Sequence, residues 1–340
     1  MKKALVTGSG GLVGEACVRR LLRDGYRVTG VDNNTRQDLF GESASNQKTI
    51  KSLIDQSSYK HYNVDIRDKD KLDEIFDNYE LIIHAAAQPS HDWAASNPIK
   101  DFTINANGTL NLLECFRQFC PQATFVYVST NKVYGDTPND IDVVEYETRY
   151  EPSVPSFVNE SMSIDQNMHS LFGVSKTAGD LLTQEYGRYF NLNTVCFRCG
   201  CITGKAHSGV KLHGFLSYLV KSAQEGTPYE IIGYKGKQVR DNIHADDLVD
   251  AFLQFHLAPR VAQVYNIGGG RYNNCSVLEA ISMCENLLDL KMEVSYSDEP
   301  RKGDHRWYVS DLFKFESHYP EWKITKSMED IFNEYLSVYY

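Results

Sequence analysis

No apolar run in these 340 residues is long enough to cross a bilayer. The opening MKKALVTG has the basic start of a signal peptide, but glycines break its apolar run within a few residues. Positive charge is also in short supply. Thirty-five Lys and Arg against 45 Asp and Glu leave a formal net charge of −10. That argues against a general nucleic-acid binder, which needs basic patches to neutralise phosphates. A few local arginines can still dominate a pocket for a small anion. Cysteine has no framework: eight are scattered along the chain, which points to reduced thiols and a cytoplasmic setting. Cys196 and Cys199 form a C-x-x-C followed by Cys201, yet a zinc knuckle needs a second pair and none is present. They read as thiols packed in or beside a strand. Repeats and low-complexity tracts are absent. What remains is an ordinary globular composition, 42% hydrophobic and 24% charged, long enough for a large domain and a smaller one.

Short β-branched runs alternate with helical patterns through the first half. Residues 3–7, 27–32, 61–65, 81–84 and 123–129 read as strands. Residues 12–23, 69–78 and 98–119 read as helices, and the polar stretch 37–59 as a connection with its own short helix. This alternation predicts an α/β fold, a doubly wound parallel sheet covered on both faces. Residues 138–168, with prolines at 138, 152 and 155, read as a long loop before a helix over 175–189. Later elements are mixed, so two interleaved domains are expected. Residues 1–198 would form a nucleotide-binding domain to which roughly 238–270 return. Residues 199–237 and 271–340 would form a smaller mixed α/β domain that holds a second molecule.

The first strand runs straight into Thr7-Gly8-Ser9-Gly10-Gly11-Leu12-Val13-Gly14 and then a helix. Gly8 suits a tight turn, Gly11 lets backbone approach a pyrophosphate, and Gly14 lets helix and strand pack closely. The helix N-terminus offers unpaired N–H groups to the anion. Asp32 ends the second strand, 18 residues after Gly14, where a carboxylate can accept from the adenosine ribose. It would repel a 2′-phosphate, which favours NAD over NADP, although Arg36 nearby leaves NADP open.

Nearly the whole chain resembles the extended short-chain dehydrogenases/reductases, in the branch of nucleotide-sugar epimerases and dehydratases. The resemblance implies that Asp65 and Ile66 contact adenine and that Ala85, in His84-Ala85-Ala86-Ala87, lies close under the dinucleotide. It places Asn105, in Asn105-x-x-Gly108-Thr109, at the cofactor site. Arg240 and Arg301 match arginines that clamp a substrate diphosphate, a task suited to guanidinium forks. Cys201 stands where relatives carry a substrate-binding asparagine. Within the branch, Gln88-Pro89-Ser90-His91-Asp92-Trp93 and Ser129-Thr130-Asn131-Lys132-Val133-Tyr134-Gly135 are similar to the CDP-tyvelose (CDP-paratose) 2-epimerases. Dehydratases carry Asp-Glu after the threonine; Asn131-Lys132 stand here, which favours an epimerase.

The resemblance breaks at one position. The family pattern Tyr-x-x-x-Lys is here Phe172-Gly173-Val174-Ser175-Lys176. A phenyl ring has no proton to exchange, whereas Lys176 can still bind the nicotinamide ribose. Tyr134, His91, His169 and Cys201 are candidate replacement bases, and Thr130 with Lys176 a candidate relay through water. The expected function is an NAD-dependent epimerase of a nucleotide-linked hexose at C2, working through a transient keto-sugar, with a CDP-sugar as substrate. A dehydratase, a one-way oxidoreductase, and a pseudoenzyme that binds NAD and a nucleotide sugar remain open. The resemblance also implies a homodimer built from the helices near 98–119 and 175–189. Asp246-Asp247 reads as a helix-capping pair, Gly268-Gly269-Gly270 as a turn, and His305, Arg306 and Trp307 as packing or base contacts.

Overall fold

The structure is a computed structural model and describes residues 2–205, 214–300 and 302–338. The chain divides into two compact units. The first comprises Met1–Val133, Leu171–Arg198 and Leu248–Tyr265, and the second Tyr134–Ser170, Cys199–Asp247 and Asn266–Tyr340. No helix of the described residues is long and apolar enough to cross a membrane.

Unit 1 begins with β1 (Lys3–Thr7), α1 (Leu12–Arg23) and β2 (Arg27–Val31). Two short helices follow in the polar stretch, α2 (Thr35–Phe40) and α3 (Gln47–Ile54), and then β3 (Tyr59–Tyr62). Next come α4 (Lys69–Ile75), β4 (Leu81–His84), α5 (His91–Ser96) and α6 (Pro98–Phe102). After a π-helical segment at Thr103–Asn107 lie α7 (Gly108–Phe119) and β5 (Thr124–Thr130). Across the unit boundary, β6 (Val143–Glu145) and β7 (Tyr150–Pro152) make an antiparallel hairpin in unit 2, so the expected loop 138–168 is partly ordered as strand. The chain returns with α8 (Leu171–Phe190) and β8 (Asn193–Cys199).

Apolar spacing explains α1. Gly14, Cys17, Val18 and Leu21 are its buried residues and share one face, while Glu15 in the first turn and Arg20 and Arg23 in the last complement the helix dipole. The third strand starts two residues earlier than the sequence suggests and stops at Tyr62. Tyr59 is buried and pairs with Val28, whereas Asp65 lies beyond the strand, ion-paired to Arg67.

Unit 2 contributes β9 (Cys201–Thr203), α9 (Phe215–Glu225), β10 (Tyr229–Ile232) and β11 (Val239–His244). Helix α10 (Ala245–Leu257) and strand β12 (Gln263–Ile267) mainly serve unit 1. The remainder is β13 (Asn274–Ser276), α11 (Val277–Leu288), β14 (Val294–Ser297), β15 (Trp307–Tyr308), α12 (Phe313–His318) and α13 (Met328–Val338). Strand β11 pairs with β9, β13 and β15. That pairing places 238–247 in unit 2, and the return to unit 1 therefore starts at Leu248, later than the sequence suggests. Strand patterning alone does not say which sheet receives a strand. The second core packs α9, α11 and α13 around Leu219, Ile231, Ile281 and Phe332. Ser276 and Glu279 form a capping box at the start of α11.

Unit 1 is built on a seven-stranded parallel sheet in the order β3-β2-β1-β4-β5-β8-β12. Thr7 pairs with both Val31 and His84, so β1, β2 and β4 end level. The chain winds outward from β1 through β3 and then crosses back to β4. The order reverses between β1 and β4, which opens a crevice beyond their C-terminal ends, where doubly wound sheets take ligands. One face of the sheet is closed by Leu5, Ile82, Leu112, Phe116 and Phe125. Cys196 and Cys199 are buried in β8, all eight cysteines lie outside any disulfide, and no metal-ligating cluster occurs among the described residues. Burial pushes the Cys196 thiol well up, so it is a core residue with a protonated sulfur.

Candidate functional site

The glycine turn closes against two strands at once. Gly8 donates to Val31 O at 2.7 Å and accepts from Gly11 N at 3.0 Å. Gly8 has φ +68°, and a β-carbon there would sit 2.7 Å from Ala86 N. A β-carbon on Gly14 would stand 2.0 Å from Gly8 O. The loops after β1 and β4 therefore touch at the switch point, and only backbone fits between them. Gly11 is the N-cap of α1 and supplies no side-chain cap, which leaves first-turn N–H groups directed into the crevice. This cradle suits a pyrophosphate.

Asp32 is 9% exposed and organises the rim. One carboxylate oxygen accepts from Gly10 N at 2.9 Å, the other from Asn34 N at 2.8 Å. Asp65 binds Arg67 and accepts from Asn33. Its carboxyl is held below the usual range: burial would raise it, and the Arg67 hydrogen bonds and charge outweigh that. Asp65 also borders an open cleft of about 560 Å³ with Arg67, Asp68, Thr103, Asn107 and Asn111. The Ile66 side chain is buried core, packed where a β-carbon on Gly108 would stand. Ala85 is half-buried and its N–H donates to Thr7 O.

Asn105 departs from the role the sequence suggests. It is 1% exposed in the π-helical segment, where its amide donates to Gln88 O, Asp101 Oδ1 and Ser175 Oγ at 3.0–3.1 Å. Its Oδ1 accepts from Gln88 N at 2.8 Å. A carboxamide so engaged has no donor left for a ligand. Asn105 positions the loop after β4 against the first turn of α8. Gln88 adds a bond to Asp101 at 2.6 Å, and Ser175 donates to Phe172 O at 3.0 Å. Burial pushes the Asp101 carboxyl up within this network. Sequence reading missed Gln88, Asp101 and Ser175, because nothing in residue order shows that they converge.

Lys176 is 4% exposed; its Nζ donates to Val128 O at 2.8 Å and lies 4.2 Å from the centre of the Tyr127 ring. The lysine is thus placed at the end of β5. Thr130, half-buried on that strand end, accepts from Lys132 N and donates to Asn131 Oδ1. Asp180 sits one turn beyond Lys176 on α8, buried against Arg198 at 2.9 Å and Ser129 at 2.6 Å. This pair fixes α8 to the strand ends and was also missed. His84 lies between the hydroxyls of Thr7 and Thr109, and burial, with the Lys176 charge adding, lowers its pKa well below the usual value. It is neutral and structural. Phe172, 7% exposed, packs against the imidazole of half-buried His91, with ring centres 4.8 Å apart.

In unit 2, Tyr134 is 0% exposed and its hydroxyl donates to Asn266 Oδ1 at 2.8 Å. Its phenol is thus engaged with a carboxamide inside unit 2. Arg240 reaches Asp304 Oδ1 and His305 O, both at 2.6 Å, so its guanidinium is pre-positioned by an acid. Cys201 lies half-buried on β9 and His169 half-buried ahead of α8. Arg301 lies outside the described residues. His305 is buried and bonded to Gly135 O, Trp307 is buried in β15, and Arg306 binds the Asn139 carbonyl, so the three serve packing. Asp247 accepts from Thr325 and from Lys326 N, and so ties down a distant loop where a helix cap was expected.

Comparison with known proteins fits this geometry. The model of the NAD dependent epimerase/dehydratase family matches residues 4–268. The chain is 33% identical over 325 residues to CDP-paratose 2-epimerase of Salmonella typhi, covering 92% of each. It is 29% identical over 305 residues to dTDP-glucose 4,6-dehydratase of Neisseria meningitidis, covering 86% of this chain and 78% of that one. UDP-glucuronic acid 4-epimerase from Bacillus cereus, solved with UDP-glucuronic acid and NAD, shares the fold at a TM-score of 0.80 and 24% identity, over 99% of both chains. With its glycine cradle, rim aspartate and buried lysine on a doubly wound sheet, the chain belongs to the NAD dependent epimerase/dehydratase family.

Proposed function

We propose that the protein is an NAD-dependent epimerase of a nucleotide-linked hexose, acting at C2 through a transient keto-sugar. The observation that carries the reading is the end of β5, the strand whose Val128 O anchors Lys176: Thr130 is followed by buried Asn131 and by Lys132. A dehydratase must protonate a departing hydroxyl and remove a proton from carbon, and neither an amide nor an ammonium at these positions supplies that pair. The 33% identity to a CDP-paratose 2-epimerase supports C2 and a CDP-sugar.

In this reading Gly8, Gly11 and Gly14 seat the pyrophosphate, Asp32 receives the adenosine ribose, and Asp65, Ile66 and Ala85 border the dinucleotide. Lys176 holds the nicotinamide ribose from its anchor on Val128 O. When bound, NAD takes up and returns a hydride, so the net redox change is zero. Thr130 offers the substrate a hydroxyl, and Arg240, Arg301 and Cys201 are assigned to binding the nucleotide sugar, the two arginines at its diphosphate. Asp304 keeps the Arg240 fork oriented for that task. Exposed Ile99 and Phe102 on α6 and Val174, Leu181 and Tyr189 on α8 are apolar side chains that a homodimer would cover. Eight cysteines that lie outside any disulfide fit a reducing, cytoplasmic setting.

Phe172 favours a second reading, a protein that binds NAD and a nucleotide sugar without turning it over. NMR of a CDP-, UDP-, GDP- and dTDP-hexose panel after incubation separates these. A C2 epimer supports the proposal, a 4-keto-6-deoxy product would favour dehydration, and binding without any product would favour the second reading.

A further inference from the structure

We propose that His91 is the general base and acid of this site, accepting the sugar hydroxyl proton that the phenyl ring of Phe172 cannot take. The inference rests on the epimerase reading above. Oxidation of an alcohol needs a proton acceptor beside the reacting oxygen. Among the side chains of unit 1 described above, the neutral buried His84 is enclosed by two threonines, and Asp101 is 1% exposed inside its network. The Lys176 ammonium is held on a carbonyl, and a threonine hydroxyl is too weak a base to hold the proton.

His91 stands at a different place in the fold. It begins α5, directly after the loop from β4, on the sheet edge where the crevice opens. It is half-buried, and its ring packs on Phe172 with centres 4.8 Å apart. Its position is fixed from two sides. Ser90 caps α5 by accepting from Trp93 N, and Gln88, Asn105 and Ser175 tie the same loop to the turn of α8 that carries Phe172. An imidazole titrates near neutral pH, which suits a group that must both take and return a proton.

The step balances as follows. The hydroxyl proton passes to the imidazole, the O–H electron pair becomes the second C–O bond, and the carbon's hydride leaves to the oxidised nicotinamide. After the keto-sugar turns, hydride returns to its other face and the imidazolium gives the proton back to oxygen. Phe172 then serves as an apolar wall against which the imidazole rests.

The test uses NAD-loaded full chain as wild type, His91→Gln, Phe172→Tyr and the double variant. Against the CDP-hexose panel, His91→Gln is expected to lose at least about a hundredfold in kcat with KM within about twofold. Phe172→Tyr in that background is expected to restore at least about tenfold. Independently of turnover, NMR of 13C-histidine-labelled protein should show an imidazole resonance, missing in His91→Gln, that titrates between about pH 5 and 8 and shifts in Phe172→Tyr. His91→Gln retaining more than half of kcat would overturn the proposal, as would an imidazole that does not titrate in that range. An inactive wild type would overturn the epimerase reading as well, which distinguishes that failure from failure of His91 alone.

Discussion

The carbonyl oxygen of Gly8 stands 2.0 Å from the place a β-carbon on Gly14 would occupy. Carbon–oxygen contacts settle at about 3.3 Å or more, so Gly14→Ala must push α1 off the turn. The crevice then loses its aligned N–H groups. The variant is expected to stay folded by circular dichroism and to bind NAD at least about tenfold more weakly by calorimetry, about 1.4 kcal/mol. Unchanged affinity would place the pyrophosphate elsewhere.

Asp32 carries two backbone N–H groups, from Gly10 and Asn34. Asp32→Ala leaves both without their acceptor, at a cost of about 1–3 kcal/mol for each group that stays buried. NAD affinity should fall, and the preference for NAD over NADP should narrow because the repelling charge is gone. Fluorescence titration with both dinucleotides measures this directly.

The Asp180–Arg198 pair is 0% and 5% exposed. Removing one partner leaves a buried charge uncompensated, so Arg198→Met should lower stability by about 3–5 kcal/mol. Arg198→Met combined with Asp180→Asn should recover part of that loss. Denaturant melts of the three proteins test the coupling.

Asp241 is fully buried, accepting from Gly270 N and Ser310 N, and burial pushes its pKa up to about 6. The folded chain therefore takes this proton before the unfolded chain does as pH falls. The penalty of a buried carboxylate is complete above about pH 6 and is relieved as pH drops toward 4. Asp241→Asn removes that dependence. Its stability relative to wild type should be most favourable at pH 7 and decline toward pH 5, by roughly 1–2 kcal/mol.

Leu181, 45% exposed on α8, belongs to the apolar surface a homodimer would cover. Leu181→Arg is expected to halve the mass seen by light scattering. A wild type already monomeric at micromolar concentration would contradict the dimer.

The nucleotide-binding half was readable because its signals are local. Lys3–Thr7 running into three spaced glycines, with Asp32 closing the next strand, specifies backbone geometry within a few residues. The clamp of Gln88, Asp101, Asn105 and Ser175 was not readable, since its members span three separate elements and meet only after packing. Asn105 was accordingly assigned to the cofactor when its hydrogen bonds serve the loop. Tyr134 looked available next to a strand end, and only its distant partner Asn266 shows that its hydroxyl is occupied. The return to unit 1 was misplaced for a related reason: the strand over 239–244 pairs with strands distant in sequence. Local pattern identifies elements, whereas long-range polar pairing decides what they hold.

The central claim is epimerisation at C2 by hydride return, and a substrate deuterated at C2 tests it most directly. Incubated with protein in ordinary water and followed by NMR, CDP-hexose carrying deuterium at C2 should give the C2 epimer with the label still on that carbon. Loss of deuterium to solvent, or a product altered at another carbon, would contradict the account.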